Sequence, residues 1–177
     1  MKMLKKLLAV VLTGAMALTL FTACGSNAVR DKDIADALNN IVKLNDSEVT
    51  FTPRAKEREM AQKVAALLES HSEDDSNSAE LSAKIQGILG IDQGGVNENN
   101  FVWVQNALTD KLGAEGQAFQ VMESLTDKGG AYNFSSLGSK EPADTRYMGT
   151  ALCKIPDQKD NLVTVRVIVV TAKAEDE

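Results

Sequence analysis

The chain is short of the groups on which most reaction centres and most covalent staples depend: among 177 residues it has one histidine, two cysteines, three prolines and one tryptophan, and aromatics make up 5%. No Gly-x-Ser-x-Gly elbow and no His-Glu-x-x-His pair occurs. Gly94-Gly95 precedes no Lys-Ser/Thr, and Gly113 to Gly116 follows no strand-like run. Serine-hydrolase, zinc-protease, phosphate-loop and dinucleotide signatures are therefore missing, and neither catalysis nor a cofactor is expected. Positive charge is also scarce, with 19 Lys and Arg against 25 Asp and Glu, a net charge of -6. Without a basic stripe interleaved with aromatics, nucleic acid and anionic headgroups are poor partners.

What the chain does have begins at its N-terminus. Lys2, Lys5 and Lys6 precede an apolar run from Leu7 to Leu20, and small Ala23 stands before Cys24, the layout of a secretion signal. At 14 residues the run falls short of the roughly 20 needed to span a bilayer. Leu20-Phe21-Thr22-Ala23-Cys24-Gly25-Ser26 resembles bacterial lipoprotein signals, in which the cysteine after the cut is diacylated and becomes the mature N-terminus. The resemblance implies that residues 1–23 are removed, that lipid on Cys24 holds the protein at the outer face of the cytoplasmic membrane, and that residues 24–30 are a polar spacer. Removal of the signal takes three lysines and no carboxylate, moving the net charge from -6 to -9. About 150 residues remain, enough for one core, with residues 31–177 as a single domain ending in a short acidic tail. With Cys24 lipidated, Cys153 has no intramolecular partner. Its neighbours Thr150 to Ile155 read as a strand with Cys153 beside Ala151 and Ile155, a buried and inert thiol.

Helical spacing of Ile34, Leu38, Ile41 and Val42 predicts a first helix over about 32–43, with Asp31 or Asp33 as its cap. Val49 and Phe51 suggest a short extended piece. Thr52-Pro53 then reads as a helix start, with Thr52 as N-cap and Pro53 in the first helical position. Met60, Ala61, Val64, Leu67 and Leu68 form the stripe of this second helix, and Arg54, Lys56, Glu57, Arg58 and Glu59 are read as its solvated first turns. A third helix carries Leu81, Ile85, Ile88 and Leu89 and stops at Gly90. Phe101, Val104, Leu108 and Leu112 fit a further helical face, and Ala118, Val121, Met122 and Leu125 the last one. From Tyr147 the period changes. Tyr147 to Ile155 and Leu162 to Ala172 are two strand-like runs, joined by a loop-rich Pro156 to Asn161, and both faces of the second run are apolar apart from Thr164 and Arg166. The expected architecture is α+β: helices on both faces of a small antiparallel sheet, with a C-terminal β-hairpin.

Ala37-Leu38-Asn39, Val96 to Trp103, Met122-Glu123-Ser124 and Tyr147-Met148-Gly149-Thr150-Ala151 together resemble segments of the CAP superfamily, also called SCP-like domains (cysteine-rich secretory, antigen and pathogenesis-related proteins). The resemblance covers about residues 31–172 and implies an αβα sandwich. In that family two histidines and two acidic residues line a cleft that holds a divalent metal in some members. This chain has one histidine, so the two-histidine site cannot form. The resemblance leaves a reduced candidate cleft of His71, Glu98, Asn99, Trp103 and Ser124, with no metal expected, because zinc normally takes three or four protein ligands. His71 stands at a helix C-terminus among Ser70, Ser72, Glu73, Asp74 and Asp75, where an imidazolium suits the helix dipole. Trp103 reads as a core anchor, or, if exposed beside Phe101, as a ligand-binding rim. The expected function is binding of a protein, peptide or envelope ligand. A hydrolase using His71 and Glu98, and a structural envelope scaffold, are the alternatives.

Overall fold

The computed structural model describes residues 29–45, 47–70, 78–91, 97, 99–108, 112–126, 140–157 and 161–176. The signal expected at residues 1–23 and all but the last two residues of the spacer expected at 24–30 lie outside them. Helix α1 (Asp31–Lys43) buries Ile34, Leu38 and Val42 at four-residue spacing, together with Ala35 and Ala37. Arg30 takes its N-cap position, and Asp33, in the first turn, accepts the Arg30 backbone N–H at 2.8 Å. Strand β1 (Thr50–Pro53) follows, then α2 (Ala55–Ser70), α3 (Ser78–Leu89), β2 (Asn100–Leu108), α4 (Ala114–Thr126), β3 (Glu141–Pro156) and β4 (Leu162–Glu175).

The α+β expectation, with helices on both faces and a C-terminal hairpin, holds. The sheet order is β1-β3-β4-β2. Strands β3 and β4 pair antiparallel from Pro156↔Leu162 up to Glu141↔Glu175, and β2 lies antiparallel to β4. The sheet is mixed rather than wholly antiparallel, because β1 joins β3 in parallel over Thr50↔Thr145 to Pro53↔Met148.

Alternation along the central strand β4 divides the core in two. Ile168, Val170 and Ala172 pack with α1, α4, Phe51, Met148, Phe101 and Trp103. Val165, Val167 and Val169 pack with Ala61, Val64, Ala65, Ile85, Leu89 and Cys153 beneath α2 and α3. Each such side chain taken fully out of water contributes roughly 1.5–3 kcal/mol, so a strand buried on both faces is the densest source of stability here.

Three expectations need correction. Phe101 to Leu108 is strand β2, not helix: Phe101 and Trp103 enter one core while Val102 and Val104 enter the other, so the apolar run 101–104, followed after Gln105 and Asn106 by Ala107 and Leu108, contains a helix-like spacing by accident. Thr52 and Pro53 end β1 rather than start α2. The Arg54 N–H still donates to the Met148 carbonyl at 2.8 Å, so the strand ladder continues past Pro53, which an edge strand tolerates. The first turn of α2 is not simply solvated either, because Glu57 is 0% exposed.

Gly149 explains how that turn is seated. A Cβ there would lie 2.0 Å from the Arg58 nitrogen and 2.4 Å from the Glu57 carbonyl carbon. The backbone of α2 therefore rests directly on β3, at the point where β1 has ended, and only glycine permits the approach.

Candidate functional site

The seating of α2 on Gly149 sends two consecutive side chains in different directions. Arg58 reaches Asp31 at the start of α1, with Nε to Oδ2 at 2.6 Å. The other Asp31 oxygen accepts the Thr150 hydroxyl at 2.5 Å. Thr150 in turn accepts from Arg166 Nη1 at 3.0 Å, while Arg166 Nε donates to Gln117 Oε1 at 2.9 Å and Nη2 to the Val29 carbonyl at 2.8 Å. Gln117 closes the chain by donating to the Leu112 carbonyl at 2.9 Å. One connected set of bonds thus joins α1, α2, β3, β4 and α4. Arg166 is only 4% exposed. Its burial lowers the guanidinium pKa from the usual value, with Asp31 and Asp33 opposing that shift, yet arginine keeps its charge in proteins.

Glu57 turns under α2 instead. Its carboxylate accepts from two nitrogens of Arg54, Nε at 2.6 Å and Nη2, and from the Thr171 hydroxyl at 2.7 Å. The Arg54 guanidinium lies over the Tyr147 ring at 3.7 Å. Burial alone would raise the Glu57 carboxyl, but the hydrogen bonds from Arg54 and Thr171 outweigh it and hold the group below the usual glutamate range. A carboxylate bound in this way is a weak base at neutral pH.

A fourth arginine, Arg146, sits over the Trp103 ring at 5.3 Å, and its Nε is buried without a hydrogen-bond partner. Burial lowers its pKa, and the charge of Asp144 works against that. Asn39 donates to the Phe51 carbonyl at 3.0 Å and accepts the Phe51 N–H at 2.7 Å, so its side chain stands in for a missing strand along the outer edge of β1.

Of the residues expected in the cleft, the structure describes the surroundings of Asn99 and Trp103. His71 and Glu98 lie outside the described residues, as does the side chain of Ser124, whose backbone is in α4. Asn99 is in the exposed turn before β2, where its N–H donates to Asn97 Oδ1 at 3.1 Å and its carbonyl accepts from Ala174 at 2.9 Å. Trp103 is buried and stacked on Phe101 with ring centroids 5.8 Å apart, so the exposed-rim alternative is corrected: both rings fill the core beneath α1 and α4. Cys153 is buried, and burial, with a smaller contribution from Glu69, pushes its thiol up to about 11. Among the described residues no group of three or more His, Cys, Asp and Glu is placed to share a metal ion.

Sequence reasoning missed the buried polar residues, although signals for them existed. Glu57, Ala61 and Val64 share the apolar stripe of α2, Arg166 interrupts a valine run, and Gly149 interrupts a strand.

No family model matches the chain, and no curated protein or solved structure does. Among the described residues no helix is long and apolar enough to cross a membrane.

Proposed function

We propose that the protein is an exported, lipid-anchored binding module, held through Cys24 at the outer face of the bacterial cytoplasmic membrane and built on a divergent CAP-like domain with a degenerate cleft. The observation that supports this reading is the attachment of Val29. Its carbonyl is fastened to buried Arg166 in the central strand, and only four residues of sequence separate it from Cys24. A lipid on Cys24 would hold the domain close to the bilayer and limit its orientations. The layered architecture, the strand edge covered by Asn39 and the helix seated on Gly149 support kinship with the CAP superfamily, since Asn39 and Gly149 belong to segments that carry the resemblance.

Binding is favoured over chemistry because the buried ionisable side chains Asp31, Glu57 and Arg166 all have partners within the fold, which makes a stiff platform rather than a set of poised acids and bases. The ligand class is a protein, a peptide or an envelope component. The test uses the lipidated protein together with its His71→Ala and Glu98→Ala variants. Co-sedimentation with purified envelope fragments is expected to be saturable, and ester and peptide turnover to stay at background. Turnover that either substitution abolishes would establish the hydrolase instead. Neither retention nor turnover would leave an envelope scaffold.

A further inference from the structure

The hairpin end of the sheet extends beyond the start of α1. Cross-strand partners in an antiparallel pair share a face, so Leu152↔Arg166, Lys154↔Thr164 and Pro156↔Leu162 all lie on the side of the sheet covered elsewhere by α1 and α4. Helix α1 begins beside Thr150 and runs the other way, toward Asn39 at the level of Phe51, the partner of Arg146. On this projecting face Leu162 is 70% exposed, Leu152 is 39% exposed, and Lys154 and Pro156 are exposed between them. The opposite face of the same segment is covered. Cys153 and Val165 are buried there with Leu67 and Leu68 of α2, and the Lys154 N–H donates to Glu69 at 2.9 Å.

We propose that this apolar face of the hairpin is a second membrane contact, resting in the interfacial zone of the bilayer that holds the lipid of Cys24. The inference rests on the lipid-anchor reading above. Reach selects the occupant. Val29 is bonded to Arg166, the cross-strand partner of Leu152, and five fully extended residues from Val29 place Cys24 within about 18 Å. Leu162 lies about 13 Å along β4 from Arg166, on the side away from α1. Val29, the described residue nearest Cys24, and the exposed leucines therefore lie at the same end of the sheet, with the bilayer that holds the lipid within reach of both. Leu44, 73% exposed, lies at the other end of α1. Because the mature chain is acidic, the contact is apolar rather than a charge attraction, and it is insensitive to salt.

The test uses full-length protein carrying a Leu162→Cys substitution, labelled with an environment-sensitive fluorophore in phosphatidylcholine vesicles, with Leu44→Cys as the comparison. Both positions are on the surface, so folding is not at issue, and the buried Cys153 thiol does not compete for the label. Intact mass first establishes the lipid on Cys24. The expected result is quenching by brominated acyl chains about threefold stronger at position 162 than at 44, unchanged at high salt. Equal, solvent-like signals on protein whose mass includes the lipid would overturn the hairpin contact and leave the anchor standing. A mass without lipid would overturn both.

Discussion

The two faces of the sheet are closed by different means. Under α2 and α3 the seal is mostly hydrocarbon: Ala61, Val64, Leu89, Val165, Val167 and Val169 meet without a polar atom, and Glu57 with Thr171 enters only near one end. Under α1 and α4 the larger side chains Phe101, Trp103, Met148 and Ile168 share their face with a line of buried hydrogen bonds centred on Arg166. Apolar packing is non-directional and tolerates small shifts, whereas a satisfied polar network permits one arrangement and penalises every other. The face that receives the chain from Cys24 is thus the one whose geometry is most tightly specified.

The comparison can be broken most severely where the two layers meet. Gly149→Ala forces a Cβ into the α2 backbone, which cannot swing aside as a side chain would. A loss of about 3 kcal/mol or more, seen as a collapsed denaturation midpoint or failure to fold, is expected. Arg166→Met comes next. It leaves the Val29 carbonyl, Gln117 and Thr150 without their donor, and urea unfolding should show a loss of about 2–3 kcal/mol.

Glu57→Gln sharpens the contrast on the other face. The amide keeps a bond from Thr171 but loses the ion pair with Arg54, at a cost of about 1–2 kcal/mol at neutral pH. Because the Glu57 pKa is lower in the folded than in the unfolded state, its contribution is present above the unfolded value, about 4.3, and is lost as pH falls through the lower folded value. Chemical denaturation of wild type should therefore weaken across that acid window more steeply than that of the variant. The smallest effect concerns Cys153. Cys153→Ala removes one buried sulfur from the aliphatic face and should cost about 1 kcal/mol, while thiol reagents should leave native Cys153 unmodified at neutral pH.

Much of this architecture was legible in the sequence, because four helices and the last two strands show their period locally. Ile34, Leu38 and Val42 recur at helical spacing, and the apolar residues of β4 alternate between the two cores. Strand β2 was not legible. With Phe101 and Trp103 in one core and Val102 and Val104 in the other, every position from 101 to 104 is apolar and the period of two disappears there. The buried charges were hidden for a different reason. Glu57 finds Thr171, and Asp31 finds Thr150, more than a hundred positions along the chain, and no local pattern encodes such partners. Of the expected cleft, Trp103 as a core anchor was read correctly from its type and neighbours, while His71 and Glu98 depend on segments outside the described residues.

The most direct measurement is the intact mass of the protein's N-terminal peptide after extraction from bacterial membranes. A chain that begins at Cys24 and carries a diacylglyceryl group on its sulfur is the expected result. An N-terminus at Met1, or a Cys24 without lipid, would contradict the anchored-module account and remove the reason for a membrane-facing end.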